Sequence, residues 1–302
     1  PVLDEFHPFY IALASILFDR ERYTIAYNHI RSAIRLIDNI VESNLKLFKM
    51  GETYTHLKKQ ANATLNAMCG VLRAQTPSLS YLEFTRERLA SIPSIDPTSR
   101  SIICAGYPNV GKSSMLNSLT NTAVDVQPYA FTTKSLFVGH MDHGEDGQKW
   151  QVIDTPGILD HSLSECNAIE MQSVTALVHL SAVVLFMIDV SAQCGYTVTQ
   201  QVSLLSQLKP IFAKKPLVIA LNKIDVIKPE KLDPAEQALI ESLRIEYGAC
   251  GIGSMSTLTG EGVTDVVNLA CQALLTYQKQ AAAAESSVIA ADVLSKLHKA
   301  TP

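Results

Sequence analysis

From residue 8 to about 92 the apolar positions fall at helical spacing, with no strand-like alternation. Ile25, Ile30, Ile34, Ile37, Val41, Leu45 and Phe48 recur every three to five residues, the period that places side chains on one helix face. Gly51 ends this stretch, and Thr53-Tyr54 opens another that runs through Leu57, Leu65, Met68 and Leu72. Thr76-Pro77-Ser78 then separates it from Leu79, Tyr81, Leu82, Phe84 and Leu89, because such residues punctuate helices. The pattern predicts a bundle of three or four antiparallel helices over residues 1–97. Its Leu, Ile and Met stripes are expected to be core rather than a cofactor contact. Ile92-Pro93-Ser94-Ile95-Asp96-Pro97-Thr98 is a two-proline connector, where a domain boundary belongs.

From Ser101 the pattern changes to short β-branched runs alternating with helices: Leu136 to His140, Trp150 to Asp154, Ala182 to Val190, Pro216 to Leu221 and, more weakly, Ala249 to Met255. That alternation predicts an α/β domain over residues 98–278, a mainly parallel sheet with helices on both faces that binds ligands at the carboxyl ends of its strands. Gly139 to Gln148 reads as a hairpin turn joining an antiparallel edge strand to the next. Residues 279–302 form a helical tail, in which Ser286-Ser287 is expected to cap a separate short helix through Val288, Val293, Leu294 and Leu297. The tail closes on Lys299-Ala300-Thr301-Pro302 without a stop signal, so a longer natural protein is expected to continue beyond it. The absent initiator Met likewise suggests a trimmed chain.

Composition narrows the class. The longest apolar run, Ala182 to Ile188, is far too short to span a bilayer, and the first residues carry no secretory signal. Cys69, Cys104, Cys166, Cys194, Cys250 and Cys271 lie far apart without paired spacing, as reduced thiols of a cytosolic or nuclear protein do. Of the 25 Lys and Arg and 29 Asp and Glu, residues 1–100 hold 12 and 10; the front is slightly basic and the rest acidic. Arg20, Arg22, Arg31, Arg35, Lys46 and Lys49 permit a basic docking face but equally suit solvated helix surfaces.

The chemistry begins at Gly106-Tyr107-Pro108-Asn109-Val110-Gly111-Lys112-Ser113-Ser114, between a strand and a helix. Two glycines at this spacing let the backbone N–H groups of Asn109 to Ser114 turn inward on a phosphate, and the following helix adds its positive end. Lys112 supplies a point charge to the β- and γ-phosphates, and the Ser113 hydroxyl is placed to bind magnesium. About forty residues on, Asp154-Thr155-Pro156-Gly157 ends a predicted strand. There the carboxylate is placed to reach the same magnesium through water, and the Gly157 N–H to meet a γ-phosphate. Asn222-Lys223-Ile224-Asp225 follows an apolar strand and reads as the base-recognition element. Asp225 accepts from guanine N1 and its 2-amino group, which adenine cannot offer. Asn222 braces the phosphate loop or the base, the Lys223 stem covers one base face, and Ser256-Thr257 is expected to close the pocket with backbone N–H groups toward the guanine oxygen.

Tyr129-Ala130-Phe131-Thr132-Thr133-Lys134 lies where a mobile loop must bring one hydroxyl to magnesium; Thr133 is favoured over Thr132. This loop and the segment after Gly157 are the expected switches. Ile158 stands where many relatives of this fold carry a glutamine that orients the attacking water, so turnover is expected to be slow. His161 is more simply a solvated turn histidine than a replacement base. His140, Asp142, His143 and Glu145 read as surface residues of a hairpin tip rather than a metal cluster.

These residues resemble the nucleolar GTP-binding protein family, the Obg-related GTPases of large ribosomal subunit assembly. The likeness is carried by Gly106 to Ser114 with Asp96-Pro97 before it, by Asp125 to His140, by Asp154-Thr155-Pro156-Gly157-Ile158-Leu159-Asp160, by Thr257-Leu258-Thr259-Gly260-Glu261-Gly262-Val263 and by Phe6-His7-Pro8-Phe9-Tyr10. It runs from residue 5 to about 278 and departs at Asp142 to Lys149 and in the Ala-rich tail. The resemblance implies a helical N-terminal domain, a GTPase domain using GTP/GDP and Mg2+, and a C-terminal extension beyond this chain that contacts the maturing 60S particle. Implied with it are nucleolar location in the nucleus, other assembly factors and rRNA as neighbours, no membrane, and a monomer. In several GTPases that lack the glutamine, and which this loop resembles, an asparagine at the place of Asn109 helps hold K+ between the β- and γ-phosphates; the plainer reading is that Asn109 bonds the loop to itself. The expected function is a GTP-hydrolysing assembly switch. A GTP-binding scaffold with negligible turnover is the alternative, and an ATP-using enzyme is disfavoured by Asp225.

Overall fold

The computed structural model describes residues 6–49, 53–90, 95–119, 137–143, 148–155, 168–212 and 214–300. The chain divides into two compact units, Tyr10–Ile92 and the remainder, Pro93–Pro302 together with Pro1–Phe9.

The first unit is helical. Over residues 8–90 run α1 (Pro8–Leu17), α2 (Arg20–Phe48), α3 (Tyr54–Ala74) and α4 (Thr76–Ala90), and α2 packs on both α3 and α4. Asp19 starts α2 by accepting from the N–H groups of Glu21 and Arg22 at 2.8 and 3.1 Å, which satisfies donors that a helix start otherwise leaves open. The Tyr81 hydroxyl of α4 donates to the Asp19 carbonyl at 3.1 Å, and the Arg22 guanidinium lies over the Tyr81 ring. Gln60 of α3 donates to the Asn44 side chain at 2.7 Å.

The expected core of this unit is corrected. On α2 the fully buried positions are Tyr23, Ala26 and Ala33; Ile30, Ile37, Val41 and Phe48 of the sequence stripe are half-buried beside them, whereas Ile25, Ile34 and Leu45 are more than half exposed. Leu65, Leu72, Leu79 and Phe84 are exposed as well. A stripe recurring every three to five residues is wider than one packing seam, and the seam chosen is the one where alanines let the helices approach.

The second unit carries a six-stranded sheet of β1 (Ser101–Ala105), β2 (Phe137–His143), β3 (Gln148–Asp154), β4 (Ala182–Asp189), β5 (Leu217–Asn222) and β6 (Gly251–Ser254). The spatial order is β2-β3-β1-β4-β5-β6. All neighbours are parallel except β2 with β3, the antiparallel edge that the hairpin pattern predicted. The central strands are buried along their whole length, which is why they read as unbroken apolar runs rather than alternating ones. Ile102, Cys104, Val183, Leu185, Met187, Val218 and Ala220 face one side, where they join Met115 and Leu116 of α5 (Lys112–Leu119) and Val266, Ala270 and Leu274 of α9 (Val263–Ala300). β4 also packs against α7 (Val198–Leu208), whose residues take no part in that cluster. α6 (Ala168–His179) and α8 (Pro234–Glu246) complete the α/β alternation.

The tail differs from expectation. No second helix starts at Ser286-Ser287; α9 runs unbroken from Val263 to Ala300. The Ala281–Ala284 run explains this, since alanine is the strongest helix former and no Gly or Pro interrupts it.

Candidate functional site

The phosphate loop is the turn between β1 and α5. Gly106 has φ 140° and Gly111 φ 107°, backbone conformations that side chains rarely tolerate. A Cβ on Gly106 would stand 2.7 Å from the Met187 carbonyl, and one on Gly111 would overlap the Asn222 amide. The loop therefore lies directly against β4 and the Asn222 element. Val110 is fully buried, anchoring it from below. Asn109 has φ 61°, and among the described residues its side chain has no hydrogen-bond partner.

Lys112 is 6% exposed and its Nζ donates to the carbonyls of Gly106 and Tyr107 at 3.0 and 2.7 Å. Burial lowers its pKa, opposed by the nearby Asp154 carboxylate. Asp154, at the end of β3, is 3% exposed, and burial raises its pKa against the bond from Ser113 and the charge of Lys112. Ser113 Oγ donates to Asp154 Oδ2 at 2.5 Å, while Asp154 Oδ1 is buried without a partner among the described residues. An orphaned carboxylate oxygen beside a hydroxyl is costly unless a ligand meets it, and two hard oxygens next to a phosphate loop suit Mg2+. Thr155 fastens this corner by donating from Oγ1 to the Cys104 carbonyl at 2.6 Å.

Asn222 closes β5. Its Nδ2 donates to the Val110 carbonyl at 2.7 Å and to Thr257 Oγ1 at 3.1 Å, and its Oδ1 accepts from the Thr257 N–H at 3.0 Å. Of the two roles open to Asn222 in the sequence, the one made here is to tie the phosphate loop to the segment after β6. Lys223 follows with φ 66° and pairs through Nζ with Asp189 Oδ2 at 2.7 Å. Burial alone would raise the Asp189 pKa, but bonds from Lys223, from the Ser191 hydroxyl and from the N–H groups of Cys194 and Ser191 outweigh it and hold the carboxyl below its usual value. Ser256 Oγ donates to Asp225 Oδ1 at 2.5 Å and orients that carboxylate.

The expected use of Ser256 and Thr257 needs revision. The Ser256 N–H donates to the Glu261 carbonyl at 2.8 Å and the Thr257 N–H to Asn222. Both are engaged inside the protein, so what these residues offer the pocket here is the orienting of Asp225 and the Thr257 side chain.

One open cavity of about 650 Å3 gathers Asn109, Gly111, Lys112, Ser113, Ser114, Lys223, Asp225 and Thr257. Asn222 and Ser256 stand fully buried behind it. Three further lining residues were not picked out from the sequence: Gln193, Val226 and Leu258. Val226 and Leu258 directly follow Asp225 and Thr257, and their exposure, 47% and 84%, is unusual for apolar side chains; adjacency to those two residues was the available signal. Thr133, Gly157, Ile158 and His161 lie outside the described residues, as do the two expected switch segments. Among the described residues no His, Cys, Asp or Glu cluster could hold a metal by itself, and no helix is long and apolar enough to cross a membrane.

Comparison with known proteins agrees along the chain. Residues 1–96 match the NOG1 N-terminal helical domain, and residues 168–225 match the family Nucleolar GTP-binding protein 1 (NOG1). The probable nucleolar GTP-binding protein 1 of Dictyostelium discoideum is 47% identical over the whole chain, and the nucleolar GTP-binding proteins 1 of Drosophila melanogaster and Saccharomyces cerevisiae are 44% and 40% identical. The chain spans slightly under half of these relatives, 45 to 46% of their length. Among solved structures, the putative nucleolar GTP-binding protein 1 of Plasmodium falciparum superposes with a TM-score of 0.58 at 40% identity, covering 67% of this chain and 99% of that one. With helical and α/β segments both matched to the same relatives, the chain belongs to the nucleolar GTP-binding protein 1 family.

Proposed function

We propose that the chain is the guanine-nucleotide-binding part of a nucleolar GTP hydrolase that acts as an assembly switch on the large (60S) ribosomal subunit precursor. One observation carries the reading: the carboxylate of Asp225 and the phosphate loop line a single cavity, and Ser113 of that lining is bonded to the buried Asp154. Asp225, held by Ser256, selects guanine, and the Lys223 stem covers the base. Gly106 to Ser114 wrap the phosphates with backbone N–H groups. Lys112 leaves its carbonyl partners for the β- and γ-phosphates, an exchange aided by its burial. Ser113 and Asp154, with Thr133 as the sequence suggests, would hold Mg2+, and the ion would supply neutralisation of charge on the transferred phosphoryl group. Gly157 reports the γ-phosphate to the segment after it, and loss of that phosphate releases both switch segments. The helical unit, with its exposed apolar and basic residues, supplies the surface that a pre-ribosomal partner reads. The nucleolar names of the relatives support the location.

Ile158 cannot orient water, so intrinsic turnover is slow. Asn109, whose side chain has no hydrogen-bond partner among the described residues, would offer a neutral oxygen to a K+ ion, which would supply part of the charge neutralisation that an arginine finger gives. Hydrolysis measured in K+ against Na+ at equal ionic strength tests this: K+ accelerates it, and Asn109→Ala removes the difference while GTP affinity stays near wild type. Equal rates in both salts would place the missing catalytic group on the ribosomal partner, an outcome checked by adding the purified pre-60S particle. Turnover that stays negligible even with the particle would leave the scaffold reading.

A further inference from the structure

We infer that Gln193 is a further nucleotide contact on the phosphate side of the pocket, presented by a loop that is fastened to the phosphate loop through the stacked rings of Tyr107 and Tyr196. The inference rests on the guanine-nucleotide reading above and adds a wall to that site.

The loop between β4 and α7 leaves Asp189, whose carboxylate is fully buried. That carboxylate accepts from the Ser191 N–H at 2.9 Å, the Ser191 hydroxyl at 2.6 Å and the Cys194 N–H at 2.8 Å, besides pairing with Lys223. Gln201 of α7, also fully buried, accepts from the Asp189 N–H at 2.8 Å and donates to the carbonyls of Asp189 and Tyr196, each at 3.0 Å. Buried polar groups satisfied on every side fix a conformation that the chain would not hold by itself. Here they fix a loop in which Ala192 takes φ 55° and Gly195 φ 93°. Ala192 has no side-chain bond to favour that region, so the surrounding bonds hold it there.

Two consequences follow for the pocket. The Tyr196 ring lies on the Tyr107 ring with centroids 3.9 Å apart and planes at 16°. Tyr107 belongs to the phosphate loop, and its carbonyl takes one of the two bonds from Lys112 Nζ. The β4–α7 loop and the phosphate loop thus share a contact. The other consequence is Gln193 itself, exposed, in a cavity lining that also holds Asn109, Gly111, Lys112 and Ser113 of the phosphate loop and Lys223 and Asp225 of the base side; the Tyr107–Tyr196 stack ties its loop to the phosphate loop. Among the described residues its side-chain amide has no hydrogen-bond partner. A neutral amide beside those residues donates to a phosphate oxygen of a bound nucleoside di- or triphosphate.

The test is stopped-flow release of fluorescently labelled GDP and of a non-hydrolysable GTP analogue from the intact chain. Gln193→Ala is expected to speed release of both by about three- to ten-fold, the size of one lost hydrogen bond. Gln193→Glu is expected to speed it more, with a larger factor for the triphosphate than for the diphosphate and partial relief by added salt, because a carboxylate then faces the phosphates. Tyr196→Ala is expected to speed release of both nucleotides, and Tyr196→Phe, which keeps the ring stack, to speed it less. Gln193 is exposed, so its variants keep the fold and the test does not depend on how Tyr196→Ala behaves. Wild-type release rates in Gln193→Glu, or one equal factor for di- and triphosphate, would overturn the phosphate contact. Absence of guanine-nucleotide binding by the wild-type chain would instead overturn the reading on which the inference rests.

Discussion

The two units of this chain spend their apolar residues differently. In the nucleotide unit the large side chains of the sheet, Ile102, Ile103, Trp150, Ile153 and Phe186 among them, are 0 or 1% exposed. Among the described residues its buried polar side chains are bonded almost throughout, and the buried oxygen left over, Asp154 Oδ1, stands where Mg2+ is expected. In the helical unit α2 closes on alanines and leaves Ile25, Ile34, Leu36, Leu45 and Leu47 more than half exposed. The sheet unit is therefore built to hold one geometry around a ligand, while the helical unit keeps apolar surface available.

The largest effect expected from this contrast is in the sheet. Phe186→Ala, in the fully buried β4, is expected to cost about 3–5 kcal/mol by transfer and cavity terms, read as a drop in the denaturation midpoint with nucleotide binding lost alongside. A smaller cost, about 1–3 kcal/mol, is expected for Asn222→Ala, which strands the buried Val110 carbonyl and the Thr257 N–H. Here guanine-nucleotide affinity should fall further than stability, because the phosphate loop loses its tie to the segment after β6. Calorimetry of the free and GDP-loaded variant separates the two.

At the small end, Ile34→Ala on α2 is expected to change stability by no more than about 0.5 kcal/mol, since the side chain is already exposed and alanine favours the helix. Its effect should show in binding of the pre-60S particle instead. A loss of several kcal/mol would show that Ile34 is core after all and break the contrast drawn here.

The same contrast decides what the sequence could reveal. Strands buried on both faces leave unbroken β-branched runs, and the phosphate loop, Asp154 and Asn222 to Asp225 sit at their carboxyl ends, so sheet order aside, the nucleotide unit was legible. The choice of seam on α2 was not: Ile25 and Ala26 are neighbours in a wide apolar stripe, and only the partner helices determine which is covered. The β4–α7 wall was equally hidden. Tyr107 and Tyr196 are far apart in sequence, Gln201 reaches back to Asp189 across a turn, and none of these forms a local pattern. The bonds that engage the Ser256 and Thr257 N–H groups are likewise tertiary. The tail misled for a different reason, as Ser286-Ser287 has the chemistry of a helix start but follows alanines that carry α9 straight through.

The most direct test of the central claim, that this cavity selects a guanine nucleotide, is titration of the wild-type chain and Asp225→Asn with GDP and with xanthosine diphosphate. The wild type should prefer GDP. The variant should prefer the xanthine nucleotide, because an amide donates where the new base carbonyl accepts. Undiminished preference of Asp225→Asn for GDP would contradict the assignment of Asp225 and, with it, the reading of this site.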